Sequence, residues 1–210
     1  MKKYKRHILV LYPQTVLIYD ELEASEPVRW EWLLHSPTPF SIDNTRKSWK
    51  TANTEKGFYT KVSQFSDISS DISQTDQTII PITETPDPQY PTLWHLTGTF
   101  AQSERNRILT IIQIASDTEQ APAITRQGDT FYCSDWDITA ILNPQEPAEL
   151  IVTNRNTPTV FSYSPGNPTI EGSTYLRRYA SSSLLYDETN GKYGVTEQTD
   201  YIPASTRMAQ

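Results

Sequence analysis

Residues 6–36, RHILVLYPQTVLIYDELEASEPVRWEWLLHS, decide the fold of this chain. Two runs rich in β-branched and large apolar residues, 8–12 and 15–19, lie on either side of Pro13. Both runs are too short and too rich in β-formers for a helix, and the proline marks a turn. We therefore predict a β-hairpin, followed after a turn at residues 23–27 by the third strand of an antiparallel meander.

The third strand, residues 28–34, alternates between apolar and other residues. Val28, Trp30, Trp32 and Leu34 share one face because successive side chains of a strand point to opposite sides.

The rest of the chain continues the same rhythm of short β-rich runs between turn signals. Further strands are predicted at residues 40–42, 48–51, 57–65, 79–82, 93–100, 107–115, 123–127, 130–133, 137–142, 148–153, 159–163, 183–186 and 193–196. The runs 93–100 and 107–115 are expected to form a hairpin, and the polar segment 66–78 a loop or a sheet edge.

Composition agrees with an all-β chain. The 210 residues contain 15 prolines against 7 glycines, which suits many stiff connections, and no convincing amphipathic helix is present. These features predict an antiparallel two-sheet β-sandwich over residues 1–172. The composition shifts after that point, so residues 173–210 are expected to form a small appended β unit of short strands packed on the sandwich.

Charge and hydropathy exclude several classes of function. The net charge is −7, and the basic residues are dispersed apart from KKYKR at residues 2–6, which is expected to be a solvated strand start. Nucleic acid is therefore not an expected partner, because binding it requires clustered cations. No apolar run is long enough to span a membrane. The apolar run after the basic start is short and broken by Pro13, so no signal peptide is expected.

The candidate catalytic and metal-binding residues are few. His7, Asp20 and His35 form a set that zinc accepts, but nothing in their spacing makes their faces converge. The alternative is structural: Asp20 satisfies turn amides, and His35 makes a hydrogen bond. His95 is expected to be packed or exposed rather than catalytic. Cys133, the only cysteine, is expected to be a small buried residue.

Two pairs of carboxylates, Asp135 with Asp137 and Glu21 with Glu23, could act as an acid and a base. Because they flank turns, we expect them to be solvated instead. Five tryptophans and twelve tyrosines suggest stacking on sugar rings, for which the candidates are Trp49, Trp94 and Trp136. The alternative is that these rings pack in the core, as tryptophan usually does in a sandwich.

The segment RHILVLYPQTVLIYDELEA resembles the β-sandwich of the heparinase II/III-like polysaccharide lyases, in which an R-h-v-l-f strand precedes a proline turn and a strand ending in D-x-L. Three later segments resemble later parts of that family in the same order: EWLLHS, WHLTGTF with NRILTIIQIA, and SSSLLYDETNGKYG with TDYIP. The resemblance implies a supersandwich-like stack of antiparallel sheets.

The resemblance also implies where the chemistry lies. Such lyases cleave uronic-acid polysaccharides by β-elimination, with a tyrosine and a histidine supplied by an N-terminal helical toroid. A second histidine motif and the metal ligands precede the R-h-v-l-f strand. We therefore expect no catalytic, cofactor or metal residue in this chain. Its expected role is to support a helical toroid catalytic domain in the periplasm or outside the cell. Alternatives are a carbohydrate-binding module that uses exposed aromatic rings, and a scaffold domain without glycan contact.

Overall fold

A computed structural model describes residues 1–45, 47–53, 56–77, 93–157 and 159–163, and the backbone of short strands within 169–196. The described residues form antiparallel β-sheets and no helix, which confirms the predicted all-β sandwich class. The chain forms two compact units, Met1–Pro122 and Ala123–Gln210. The boundary expected near residue 172 falls outside the described residues and stays a prediction.

The first unit contains a six-stranded and a three-stranded sheet. The strands of the six-stranded sheet are, in spatial order, β1 (Lys3–Leu11), β2 (Thr15–Val28), β9 (Ser103–Ser116), β6 (Phe58–Phe65), β5 (Ser48–Asn53) and β4 (Ser41–Asp43). The three-stranded sheet contains β3 (Glu31–Ser36), β8 (Trp94–Phe100) and β7 (Ser70–Thr75) in that order. The strand predicted at residues 79–82 lies outside the described residues.

The predicted hairpin is present as β1 and β2, paired without a break from Lys3 opposite Glu23 to Leu11 opposite Thr15. The turn that joins them contains a cis peptide bond before Pro13. The polar segment 66–78 contains β7, the outer strand of the three-stranded sheet, which confirms the predicted loop or edge.

The meander prediction is wrong for the third strand. β2 continues through the expected turn to Val28 with a shift of register after Glu23, and β3 begins at Glu31. β3 then pairs with β8 instead of β2. The physical reason is that, in the opposite layer, Trp32 is buried between the two sheets against Trp49.

The predicted hairpin of residues 93–100 and 107–115 is also wrong. β8 and β9 follow each other closely, but β8 pairs with β3 and β7, and β9 pairs with β2 and β6. The link at residues 101–102 therefore connects one layer to the other. The backbone amide of Phe100 donates to the carbonyl of Trp30 at 2.9 Å, so both chain crossings are joined at this corner.

The core of the first unit lies between its two sheets. The six-stranded sheet contributes Leu22, Trp49, Val62 and Ile108, and the three-stranded sheet contributes Trp32, Ile72 and Leu96. The rings of Trp32 and Trp49 meet at 5.8 Å between centroids. The four residues predicted to share one face of the third strand all meet this core: Trp30 and Trp32 belong to it, and Val28 and Leu34 pack against it.

The second unit contains one antiparallel meander. Its strands are β10 (Ile124–Gln127), β11 (Thr130–Cys133), β12 (Trp136–Ala140), β13 (Leu150–Asn154) and β14 (Thr159–Tyr163), extended by β17 (Ser183–Asp187) and β18 (Lys192–Thr196). A separate pair contains β15 (Thr169–Ile170) and β16 (Ser173–Thr174). Cys133 is buried, as the sequence predicted.

The tryptophan pair gives a test of this core. Replacing Trp49 by Ala removes a side chain that is 1% exposed and leaves a cavity beside Trp32, so we expect a loss of about 3–5 kcal/mol in the free energy of unfolding. Trp94→Ala, at a half-buried position, should cost clearly less. Denaturant unfolding of both variants measures the difference, and equal losses would contradict the assignment of Trp49 to the core.

Candidate functional site

The three tryptophans predicted to stack on sugars differ in accessibility. Trp49 is 1% exposed and packs against Trp32, so its ring presents no face to a ligand. This corrects the prediction for Trp49, and the reason is that its strand turns this side chain towards the opposite sheet. Trp94 begins β8 and Trp136 begins β12, and both are half-buried. For these two rings sugar stacking stays a prediction.

The candidate zinc set does not come together. His7 lies opposite Tyr19 and Arg6 opposite Asp20, so His7 and Asp20 project from opposite faces of the six-stranded sheet. His35 lies on the three-stranded sheet. Over the residues that the structure describes, no three His, Cys, Asp or Glu side chains gather to hold a metal ion.

His7 is a buried residue on β1, 8% exposed. Burial, and to a smaller extent charge repulsion from Lys5, lower the pKa of its imidazole to about 4. Glu21 raises this pKa and Lys3 lowers it, both to a smaller extent. The ring lies 6.4 Å from that of Tyr19 between centroids. His7 is therefore neutral at pH 7 and serves the packing of the sheet.

The other two histidines form a pair that sequence reasoning missed. His35 on β3 lies directly opposite His95 on β8, and their rings meet edge to face at 4.6 Å between centroids. His35 is exposed and His95 is half-buried. The predicted structural role of His35 thus takes the form of a ring contact across two strands. Only the strand pairing, which local periodicity does not reveal, could have brought these residues together.

Three of the four residues in the predicted carboxylate pairs lie close to a cation. Glu21 forms an ion pair with Lys3 at 2.8 Å, and Glu23 one with Arg105 at 3.3 Å. Asp137 lies 3.4 Å from Arg155, and Asp135 is exposed. Partly exposed ion pairs of this kind contribute about 0–1 kcal/mol each to the free energy of unfolding.

A cavity of about 220 Å³ lies between β1 and β3 in the first unit. Asp20, which is 1% exposed, accepts two hydrogen bonds from Arg6, at 2.5 Å from Nε and 2.9 Å from Nη2. Burial raises the pKa of the Asp20 carboxyl, and the bonds from Arg6 oppose that rise. Tyr4, Trp30 and Trp32 also line the cavity. One feature of the sequence indicates this site: strand alternation places Tyr4 and Arg6 on the same face of β1.

A second surface feature is an apolar strip on the inner face of the six-stranded sheet, defined here as Ile8, Val10, Phe58 and Ile114. Their side chains are 61%, 79%, 38% and 43% exposed, although they lie on the same face as the core residues. The three-stranded sheet therefore covers only part of this face.

The two sheets define the first unit as an antiparallel β-sandwich, and this is the class of protein to which the structure assigns the chain. No protein-family model and no curated protein matches the sequence. No helix in the described ranges is long and apolar enough to cross a membrane.

The pKa of His7 makes the stability of the fold depend on pH. His7 takes up a proton near pH 6.5 in the unfolded chain and only near pH 4 in the folded chain. The free energy of unfolding is therefore unaffected by His7 above pH 6.5 and falls as the pH drops towards 4. The loss should reach up to about 3 kcal/mol. His7→Gln should reduce this loss and His35→Gln, an exposed control, should not. Denaturant unfolding at pH 7 and 4 tests this, and equal acid sensitivity in all three proteins would contradict it.

Proposed function

We propose that this chain is a non-catalytic β-sandwich that docks against and supports a catalytic domain acting on uronic-acid polysaccharides, in the periplasm or outside the cell. The resemblance of residues 6–36 to the heparinase II/III-like lyases supports the polysaccharide and the location. The partner is a helical toroid domain, in the same polypeptide or in a separate one. The observation that carries the docking role is the apolar strip.

The strip lies where a further strand would fit. Among the described residues, β3 is an outer strand of its sheet. It runs across the six-stranded sheet: its start lies near Tyr4 and Arg6, and its end lies near Phe58 and Thr60. On one side of β3 the next strand, β8, brings Gly98 over Gln64. The strip lies on the other side, where nothing in the described ranges pairs with β3.

A further strand added to this edge would bury the strip. It would also form hydrogen bonds with the backbone groups on the outer edge of β3. The C-terminal half of β1, which carries Ile8 and Val10 of the strip, has no charged residue that would repel an apolar segment added there. Soluble domains seldom leave a contiguous apolar surface next to an open edge, and such surfaces mark interaction sites. An extended apolar segment of the catalytic partner is the occupant that we propose.

The environments of the acid and base candidates support the non-catalytic part of the proposal. His7 is neutral and buried, His35 contacts His95, and Asp20 is held by two bonds from Arg6. Each group serves a structural contact, and none of these contacts presents an acid and a base towards one cavity.

Elimination activity gives the first test. The chain alone, incubated with heparan sulfate, alginate or chondroitin, should produce no rise in the ultraviolet absorbance of unsaturated uronides. A helical toroid domain encoded beside or upstream of this sequence, assayed together with the chain, should produce it. Activity of the chain alone, or the absence of any such encoded domain, would overturn the proposal.

Docking gives the second test. Ile8→Glu and Val10→Glu place charges in the apolar strip and should abolish co-purification with the tagged toroid domain, because burial of an unpaired carboxylate is costly. Leu33→Glu is the matched control. Leu33 is 57% exposed, close to the 61% of Ile8, but it lies on the outer face of the three-stranded sheet. Retained co-purification in both strip variants would contradict docking at the strip. Self-association of the chain, abolished by the same variants, would show instead that a second copy occupies it.

A further inference from the structure

We propose that the cavity between β1 and β3 binds one uncharged sugar ring. This inference does not rest on the proposed docking role. The cavity has the two parts that a sugar requires, aromatic rings for its apolar faces and a fixed polar pair for its hydroxyl groups. Tyr4, which is 55% exposed, supplies the accessible ring, the almost fully buried Trp30 and Trp32 contribute to the apolar wall, and Arg6 with Asp20 supplies the pair.

The polar pair is fixed before any ligand binds. Both oxygens of Asp20 accept from Arg6, which holds the guanidinium plane in one orientation while its Nη1 atom stays outside this interaction. Each carboxylate oxygen also keeps a second lone pair. A donor and an acceptor therefore lie side by side, which is the arrangement that a hydroxyl group, itself donor and acceptor, can satisfy.

The aromatic side of the cavity is partly open. Tyr4 is 55% exposed, and the guanidinium of Arg6 lies 5.7 Å from the centre of its ring. Trp32 is 5% exposed, and its indole N–H is buried with no acceptor among the described residues.

Size and charge define the ligand. Pockets for drug-sized ligands have volumes of about 300–1,000 Å³, so a cavity of about 220 Å³ suits a single ring. The charges of Arg6 and Asp20 cancel, and the exposed carboxylate of Glu31 also lines the cavity. The side chains of the lining therefore carry a net negative charge, which repels an anionic sugar and does not affect an uncharged hexose.

The experiment titrates the whole chain with methyl glycosides of glucose, galactose and mannose, and with glucuronate, following tryptophan fluorescence and heat. At least one neutral glycoside should bind saturably, with a lower affinity for glucuronate. Tyr4→Ala should weaken binding roughly tenfold through the loss of ring contact. Tyr12→Ala is the matched control, because Tyr12 is 83% exposed and does not line the cavity. It should bind as the unchanged chain does.

A third variant tests the polar pair. Arg6→Lys keeps a cation beside Asp20 but removes the planar fork, so binding should fall while near-ultraviolet circular dichroism stays unchanged. The proposal is overturned if no neutral glycoside gives a saturable response, if Tyr4→Ala binds like Tyr12→Ala, or if glucuronate binds as tightly as the neutral sugars.

Discussion

The first unit depends on the burial of β9 at the centre of the six-stranded sheet. Ile108 is 2% exposed on the face that meets the core, and Leu109 and Ile111 on the opposite face are fully buried. A strand that is apolar on both faces must have paired neighbours on each edge, and β2 and β6 supply them along most of its length. The polar residues of this strand need partners inside the fold: Asn106 accepts from Ser66, and Thr110 lies within bonding distance of Gln64.

The apolar strip follows from a mismatch in strand length. β2 and β9 have 14 residues each, whereas the strands that cover their inner face have 6 or 7. Since a strand advances about 3.3 Å per residue, the longer pair extends well beyond the cover. On that extension Ile114 of β9 keeps the apolar alternation of the core, and Ile8 lies on β1, which pairs with β2. The same pattern that builds the sandwich thus also builds its exposed surface.

The sequence identified the hairpin, the common face of Trp30 and Trp32, and the polar loop or edge at residues 66–78, because each depends on the pattern of residues within one segment. It failed where the choice of partner strand mattered. The chain crosses between the layers from β2 to β3 and again from β8 to β9. Neither crossing changes the alternation of side chains, so in the sequence both segments resemble continuing meanders. The contact of His35 with His95 and the cavity beside Arg6 depend on those crossings. Sugar stacking by Trp49 was wrong for a different reason: the six-residue strand β5 has no local signal of which face meets the other sheet.

The Arg6–Asp20 pair is not explained by stability alone. Taking a carboxylate out of water costs several kcal/mol, and apolar residues in place of a buried ion pair are often neutral or stabilising. Asp20 is 1% exposed, and its pKa is raised by burial, so it bears this cost, while Arg6 remains one-third exposed at the cavity. A leucine at position 20 would extend the surrounding core formed by Leu22 and Ile108. A charged pair in that place instead presents fixed hydrogen-bonding groups to a space walled by aromatic rings, which is a property of a binding site rather than of a core.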